Sequence, residues 1–409
     1  MSGNRSRHDR QDLCRNNKRE MEGFEMRRLT LGAAVLTAGL LQAAHAGAGD
    51  LKIGLAVAMT GTYAPYSEAE GARCMADKLN KAAGAGDPKI ELMIEDNRSD
   101  PQLSVSLGQK FLDAGAQIIT GVPFPDALIP TAQIAEPYGA TVFSAPNTQV
   151  EMQQAGLDNF IAGAVPDPIN AAATANALYG KGARTAALLV SPDAGSYSEK
   201  LPEWFGEVFE HLGGKVVSKL NYSWGTTDWS PQIASIKALP EKPDAIHVCG
   251  VLPDVGILVR QLRANGYDGW VVGCDAFDDK SLEGTVGDPA ALEKVMFATH
   301  GATGVDGPID HFLAQCKADG YKINGIFDAL GADMVQISFE AAKKAGTIEP
   351  AALREAVRAP GGYPGTTAPI ISFAEKKGYP IKAVPVMGFS NGKRVLITDA
   401  PPTFVPALN

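Results

Sequence analysis

The residue types that most often carry out enzymatic chemistry show no catalytic spacing in this chain. Its six histidines form neither a metal-binding pair nor the spacing of a catalytic triad. The sequence contains no GxSxG, HExxH or P-loop motif. The glycines of the first apolar run and its turn, Gly54 and Gly61, do not fit the GxGxxG fingerprint of a dinucleotide site. An enzyme is therefore not expected, and no cofactor is predicted.

The cysteines point to structure and not to metal binding. None of the five belongs to a CxxC pair, so the spacing of a zinc site is missing. Cys249 and Cys274 each close an apolar run, which favours positions on neighbouring strands. They can form a disulfide in an oxidising compartment or remain buried free thiols, and free thiols are the expected state. His247, in the middle of an apolar run, is expected in the core.

The stretch LKIGLAVAMTGTYAPY, residues 51–66, contains the pattern that organises the rest of the chain. Residues 51–59 are almost entirely apolar, which is typical of a strand buried on both faces. After the turn at Gly61, a helical pattern begins near Ser67, and Glu70 three residues later predicts a capping box. A strand, a glycine turn and a helix open a parallel α/β sheet, in which ligands bind at the carboxyl ends of the strands.

An export signal precedes this stretch. Met26-Arg27-Arg28 is followed by apolar residues 29–41 and by Ala44-His45-Ala46, which predicts a signal peptide cleaved after Ala46. A buried N-terminal helix is the alternative, and the run is too short for an ordinary transmembrane helix. No cysteine follows it, which argues against a lipid anchor. The mature protein is predicted to begin after residue 46. Met26 is predicted to be the true initiator, so residues 1–25 would not be translated. Export fits either general secretion or the twin-arginine route.

The charge of the chain argues against nucleic acid as a partner. The 409 residues include 37 basic and 46 acidic side chains, for a net charge of −9, and no basic stripe is present. Removal of the leader takes away more basic than acidic residues. A chain of this length with 45% hydrophobic residues can bury two cores of ordinary domain size.

Strand and helix patterns alternate after the first strand, as they do in βαβ units. Two prolines in residues 165–168 predict an extended crossing between lobes, residues 295–300 predict a second crossing, and Asn391-Gly392 predicts a hairpin. We expect an α/β fold of two doubly wound parallel-sheet lobes joined by a multi-strand hinge. The predicted strands are 89–96, 116–120, 141–144, 185–190, 215–222, 245–248 and 270–273. The predicted helices are 103–114, 126–138, 169–179, 197–212, 232–239, 254–264 and 325–344. Lobe 1 is predicted to comprise residues 47–165 and 299–365, and lobe 2 residues 166–298 and 366–409.

A series of short motifs resembles one protein family. In chain order they are IGLAVAMTGTYA, IEDNRSDP, ITGVPFPD, FSAPNT, ALLVSPDAGSYS, TTDWSPQIASIKALPEKPDAI, GCDAF and FDALGADMVQISFEAAKKAG. Their order and spacing resemble the type I periplasmic solute-binding proteins of ABC importers, in particular the leucine/isoleucine/valine-binding branch. The resemblance runs from about residue 51 to the C-terminus. It implies a monomer that holds a small solute between two lobes and closes over it.

The resemblance places the first-lobe part of the ligand site at Pro125-Asp126, Asn147 and Thr148. These residues follow strand ends, where free N–H groups can bind a carboxylate, and Thr148 matches the family's hydroxyl donor. The chain departs from the family where Pro125-Asp126 replaces a serine pair and Pro146-Asn147 replaces small residues. Proline offers no N–H, and Asp126 repels an anion unless it turns away as a helix N-cap.

On the second lobe, the resemblance places Tyr197 over the ligand, Val251 in the side-chain pocket, and Asp275 opposite the ligand ammonium. A carboxylate in a cleft closed from water strongly favours a cation. Tyr197 can instead pack as a first-turn helix residue, and Asp275 can instead be a loop acid that faces solvent. The aromatic residues that can add to the wall, or else belong to the core or rim, are Tyr66, Phe277 and Tyr321. Trp224 and Trp229 are expected in a surface loop and a helix cap.

These features favour capture of a small amino-acid-like solute in the periplasm. The solute would be delivered to an inner-membrane ABC permease with its ATPase, and lobe closure would be the signal that the permease reads. The alternative is a sensor of the same fold for amides, urea-like compounds or aromatic carboxylates. Asp275 and Thr148 favour an amino acid or related amine, whereas the altered first-lobe wall leaves room for the other classes.

Overall fold

Two β-sheets organise the protein in the computed structural model, which describes residues 49–121, 123–373 and 378–407. The first sheet is parallel, with strand order β2-β1-β3-β4-β5. Its strands are β1 (Asp50–Val57), β2 (Lys89–Asp96), β3 (Ile118–Thr120), β4 (Thr141–Ser144) and β5 (Phe160–Ala162). The predicted export signal and start site lie outside the described residues.

The second sheet has the order β12-β11-β10-β9-β8-β6-β7. Strands β6 to β10 are parallel to one another, whereas β11 and β12 form a hairpin in which β11 pairs antiparallel with β10. The strands are β6 (Thr185–Val190), β7 (Lys215–Asn221), β8 (Ala245–Val248), β9 (Trp270–Gly273), β10 (Val295–Ala298), β11 (Val386–Ser390) and β12 (Lys393–Thr398). Two doubly wound, mainly parallel sheets confirm the predicted fold class, while the residue limits of the two lobes stay a prediction.

Helices connect the parallel strands and cover the sheets. They are α1 (Ala69–Ala82), α2 (Pro101–Asp113), α3 (Pro125–Ala135), α4 (Glu151–Gln154), α5 (Asp167–Gly180), α6 (Lys200–His211), α7 (Ser230–Lys237), α8 (Asp254–Ala264), α9 (Ser281–Val286), α10 (Pro308–Ala318), α11 (Ile326–Ala345) and α12 (Pro350–Val357). Short 3₁₀ turns lie at Ala64–Tyr66, Glu136–Tyr138, Gly195–Tyr197, Asp275–Phe277 and Pro289–Leu292. Among the described residues, no helix combines the length and apolar character needed to cross a bilayer.

Strand β1 lies inside the first sheet because its side chains are apolar on both faces. It pairs with β2 on one side and with β3 on the other, and most of its residues are buried. Its turn leads into the 3₁₀ turn at Ala64–Tyr66, so helix α1 begins later than predicted. The N-cap of α1 is Glu68, without a side-chain hydrogen bond, so the predicted capping box of Ser67 and Glu70 is wrong. The Glu70 carboxylate instead accepts a hydrogen bond from the Lys322 N–H at 3.0 Å.

Two glycines allow α1 and α11 to pack at very short distance. A Cβ atom on Gly71 would lie 1.8 Å from the Asp328 carbonyl oxygen, and one on Gly331 would lie 2.2 Å from the Glu68 carbonyl oxygen. The Asp328 carboxylate also accepts a hydrogen bond from the Gly71 N–H at 3.0 Å. Any larger side chain at either glycine would force the two helices apart, since the obstructing atoms belong to the backbone.

Several local predictions need correction. Residues 165–168 are not extended throughout, because α5 begins at Asp167 and accommodates Pro168 in its first turn. Trp229 holds the N-cap position of α7, as predicted, but it is fully buried, and its indole N–H donates to the Asp254 carbonyl oxygen at 3.2 Å. His247 is buried in β8 against Phe205, with ring centroids 4.2 Å apart, which confirms its predicted place. Burial lowers the pKa of His247 to about 3.

The cysteines divide into one bonded pair and two free thiols. Cys74 on α1 and Cys316 on α10 form a disulfide across 242 residues of sequence, a pairing that the spacing of cysteines did not indicate. Cys249 and Cys274 are buried free thiols, which confirms the expected state. Joining such distant residues restricts the unfolded chain and stabilises the packing of α10 on α1.

Candidate functional site

A cavity lies where the loops from both sheets meet, at the carboxyl ends of six parallel strands. It has about 420 Å³ of empty space, including its open mouth, which limits a ligand to a small molecule. The position agrees with the general rule that α/β proteins bind ligands beyond the carboxyl ends of their strands. The lining residues are Tyr63, Tyr66, Pro123, Phe124, Pro146, Thr148, Gln149, Tyr197, Val251, Asp275, Ala276 and Phe327.

Five of the seven residues predicted for the site line this cavity: Tyr66, Thr148, Tyr197, Val251 and Asp275. The structure therefore brings together side chains that lie as far apart as residues 66 and 275 in the sequence. Their roles toward a ligand stay a prediction.

The other two predicted residues lie elsewhere. Asn147 is fully buried behind the cavity wall, where its amide nitrogen donates to the Pro123 carbonyl oxygen at 2.6 Å and holds the two loops together. Asp126 is exposed and lines a neighbouring surface cavity. It is not a helix N-cap either, because Phe124 holds that position in α3.

An aromatic cluster closes one side of the cavity and joins loops from the two sheets. Its members are Tyr63 and Phe124 from the first sheet, and Tyr197 and Trp224 from the second. Phe124 lies at the centre, with ring centroids 5.0 Å from Tyr63, 5.8 Å from Trp224 and 6.2 Å from Tyr197. Trp224 lies in the loop between β7 and α7, as predicted, and its half-buried ring packs against Phe124 and Tyr197.

Asp275 occupies one corner of the cavity, as the first residue of the 3₁₀ turn after β9. Its side chain is buried, so the alternative of a solvent-facing loop acid is wrong. One carboxylate oxygen accepts a hydrogen bond from His300 Nε2 at 3.0 Å. The other oxygen is buried without a hydrogen-bond partner in the structure. A buried polar atom without a partner requires an explanation, and a ligand donor would supply one.

Tyr197 supports this corner from the other side. Its hydroxyl oxygen accepts hydrogen bonds from the Cys274 thiol at 3.0 Å and from the Ala276 N–H at 3.3 Å. Burial raises the pKa of Tyr197 well above its ordinary value, and the nearby Asp275 adds to this effect. Tyr197 lies in a 3₁₀ turn and α6 begins only at Lys200, so its predicted alternative as a first-turn residue of α6 is wrong.

A second buried acid, Asp167, lies behind Thr148. It is the first residue of α5 and is fully buried. The Thr148 side chain hydrogen-bonds the Asp167 carboxyl group, and one oxygen of that carboxyl group has no hydrogen-bond partner. Burial raises the pKa of Asp167 well above its ordinary value, and the charges of Asp275 and Glu151 raise it further. The sequence did not indicate Asp167, because an acid before a proline at a helix start is usually exposed.

Direct hydrogen bonds join the two sides of the cleft. The Tyr66 hydroxyl accepts from the Leu252 N–H at 2.8 Å. The Glu151 carboxylate accepts from the Ser196 N–H at 2.8 Å and from its hydroxyl at 2.5 Å. Gln149 donates its amide to the Ala194 carbonyl oxygen at 2.9 Å. These bonds connect loops after β1 and β4 to loops after β6 and β8, so the cleft is closed.

Other aromatic residues considered for the wall lie outside it. Phe277 is fully buried in the core of the second sheet, and Tyr321 donates its hydroxyl to the Asp77 carboxylate. The sequence did not indicate Phe124 or Phe327 as lining residues. Phe124 lies in the loop that follows the predicted strand 116–120, and this position was the signal available in the sequence. In the part of the chain that the structure describes, no group of three or more His, Cys, Asp or Glu side chains could hold a metal ion.

Comparisons with known proteins agree on one family. A family model described as "Periplasmic binding protein" matches residues 50–393. The leucine-, isoleucine-, valine-, threonine- and alanine-binding protein of Pseudomonas aeruginosa is 24% identical over 340 residues, covering 80% of this chain and 87% of that protein. Leu/Ile/Val-binding protein homolog 1 of Brucella abortus is 24% identical over 351 residues, covering 85% and 93%.

Solved structures show the same fold. The leucine-binding protein LivK of Thermotoga maritima has a TM-score of 0.75 at 24% identity, covering 85% of this chain and 97% of that chain. LivJ of Streptococcus pneumoniae in complex with isoleucine has a TM-score of 0.75 at 23% identity, covering 87% and 100%. A solute-binding protein of R. palustris in complex with benzoate has a TM-score of 0.73 at 19% identity, covering 88% and 98%.

Proposed function

Because the chain belongs to the periplasmic binding protein family, we propose that it is the extracytoplasmic solute-binding component of an ABC importer. It captures a small amino-acid-like solute in the central cavity and delivers it to an inner-membrane permease with its ATPase. The observation that carries this proposal is the closed cavity between the two sheets, which is lined from both sides. A permease can read such closure as the sign that solute is bound.

The class of solute is supported from two directions. The relatives in Pseudomonas and Brucella are named for binding branched-chain and other small amino acids. Asp275 at the cavity corner offers an unpaired carboxylate oxygen, which suits a ligand ammonium. We further propose that the protein acts without catalysis, as a monomer in the periplasm, after removal of its leader. The Cys74–Cys316 disulfide supports an oxidising compartment.

A sensor for amides, urea-like compounds or aromatic carboxylates is the second candidate. For amides and urea-like compounds it is favoured by the prolines at 123 and 146, which remove N–H groups from the wall that would bind a carboxylate. A benzoate-bound neighbour of the same fold also supports it.

Thermal unfolding of the mature protein, residues 47–409, in the presence of candidate solutes tests the proposal. A ligand at about 100 times its Kd stabilises the folded state by about 2.7 kcal/mol, which raises Tm clearly. We expect at least one amino acid or related amine to raise Tm in a saturable way, and mass spectrometry to recover it unchanged. A rise of Tm only with aromatic carboxylates or amides would favour the second candidate. Conversion of the bound compound would contradict both.

A further inference from the structure

We propose that the solute is an organic cation of the amine class with an apolar or aromatic body and without a carboxylate group. This inference rests on the proposed function and specifies the substrate class of the same cavity. Three features of the cavity carry it: the wall that would bind an anion, the acid Asp275 that would face a cation, and the aromatic rings between them.

The wall where an amino-acid carboxylate would bind has lost donors. Pro123 and Pro146 line it and carry no N–H. The amide of Asn147 is directed to the Pro123 carbonyl oxygen, and the Thr148 side chain is engaged with the Asp167 carboxyl group. None of the described residues that line the cavity is a lysine, arginine or histidine. An anion bound here would lose its water without gaining the charged partner that usually replaces it.

The acid of the lining has the opposite character. Asp275 lines the cavity, is only 4% exposed and has one carboxylate oxygen without a hydrogen-bond partner. His300 occupies its other oxygen from behind. Negative charge held away from water attracts a cation strongly and repels an anion, because screening by solvent is weak there.

The rest of the lining is mainly aromatic. The rings of Tyr63, Tyr66, Phe124, Tyr197 and Phe327 surround the space in front of Asp275. Aromatic faces attract ammonium groups and bury apolar bodies. An amine can therefore place its charge at Asp275 and its body among the rings, whereas the carboxylate of an amino acid would meet neutral tyrosine hydroxyls at most and no cationic side chain among the described lining residues.

Calorimetric titration of the mature protein with matched ligand pairs tests the inference. The pairs are leucine with 3-methylbutylamine and phenylalanine with 2-phenylethylamine, which differ only in the carboxylate, and 3-phenylpropionate provides the carboxylate alone. We expect at least one amine to bind about tenfold or more tighter than its amino acid, and 3-phenylpropionate not to bind. Equal or tighter binding of the amino acids would overturn the inference and leave the proposed function intact. Binding of 3-phenylpropionate, or failure of both amines to bind, would also overturn it.

Matched variants give the second readout. Asp275→Asn keeps the shape and the hydrogen bond to His300 but removes the charge, so we expect amine binding to weaken about 100-fold. The control is Asp113→Asn, an exposed acid at the end of α2 far from the lining residues, which should leave binding unchanged. Circular dichroism and thermal melting check the fold of both variants. If Asp275→Asn binds the amine as tightly as the wild type, Asp275 does not pair with the ligand and the inference is wrong. If that variant does not fold, the ligand pairs on the wild-type protein decide.

Discussion

Asp275 and Asp278 lie three residues apart after the same strand, and both are buried, yet their surroundings differ. Asp278 is surrounded by donors: Arg394 and Thr299 bind its carboxylate, and the Thr303 hydroxyl donates to it at 3.2 Å. Asp275 has His300 as its partner and keeps one oxygen unpaired at the central cavity.

Asp278 therefore stabilises the fold through its internal partners, whereas Asp275 keeps an oxygen with which a ligand can pair. Arg394 lies on β12 and also binds Glu283 on α9, with Nε 2.7 Å from the carboxylate, so the Asp278 network attaches the C-terminal hairpin to the second sheet. Every polar atom that is paired internally contributes to folding, whereas an unpaired one costs free energy until a ligand arrives. The unpaired oxygen of Asp275 therefore lowers the stability of the ligand-free protein slightly, and ligand binding offsets this loss.

The largest effect is expected on removing the paired acid. Asp278→Ala leaves Arg394 buried with only Glu283 as an acidic partner and frees two threonine hydroxyls. Loss of one member of a buried ion pair costs about 3 kcal/mol or more, so we expect the free energy of unfolding to fall by about 3 kcal/mol. Urea unfolding of the ligand-free protein measures it. A loss below about 1 kcal/mol would show that the Asp278 network does not hold the hairpin.

A third buried acid, Glu68, extends the comparison to a site with neither a charged partner nor a cavity. It is 4% exposed, and one of its oxygens lacks a partner. Burial raises its pKa from 4.5 to about 8, and Asp328 adds to the effect. Between these pH values the folded protein binds more protons than the unfolded chain. The contribution of Glu68 to stability is therefore largest below pH 4.5 and falls as pH rises toward 8, by at most about 1.4 kcal/mol per pH unit.

Glu68→Gln should remove that part of the pH dependence. Burial also raises the pKa of Asp328, to about 6, so the contribution of Glu68 is best separated between pH 6 and 8. We expect the free energy of unfolding of the variant to fall less steeply in this window than that of the wild type, in urea titrations at each pH. Glu91→Gln on the exposed edge strand β2 is the control and should follow the wild type. Parallel curves for all three proteins would contradict the prediction.

The smallest effect on stability is expected at Asp275 itself. Asp275→Asn keeps an oxygen that accepts from His300 and removes a buried charge with an unpaired oxygen, so the free energy of unfolding should change by less than about 0.5 kcal/mol. The measurement is urea unfolding without ligand, beside Asp278→Ala. A loss comparable with that of Asp278→Ala would make Asp275 a structural acid and remove the contrast between the two.

Much of the fold could be read from local patterns. Strands β2, β4, β6, β8 and β9 have the predicted bounds, because short buried runs between turn residues are visible in one dimension. The three-residue strand β5 was missed, since so short a run has no period. Helices α9, α10 and α12 were missed as well. Helix starts were misplaced where a 3₁₀ turn comes first, as at Gly195–Tyr197.

The site could be predicted only in part. Thr148, Tyr197 and Asp275 were named from the family resemblance, and their place at the cavity agrees with the rule that parallel strands bring their carboxyl ends to one edge. Phe124 also follows a strand, but the family resemblance pointed to Pro125-Asp126 and not to Phe124. Which of the two faces the cavity depends on where helix α3 begins.

The alternation of strands and helices, the apolar core and the residues at strand ends are properties of neighbouring positions, and the linear chain contains them. Partner choice is different. Asp275 and Asp278 share a residue type, a turn and a depth of burial, and nothing nearby in the chain distinguishes them. Arg394 pairs with Asp278, which lies 116 residues away in the sequence, and Cys74 forms a disulfide with Cys316, which lies 242 residues away. Such contacts depend on how distant elements pack, so only the tertiary structure decided which acid is satisfied and which one faces the cavity.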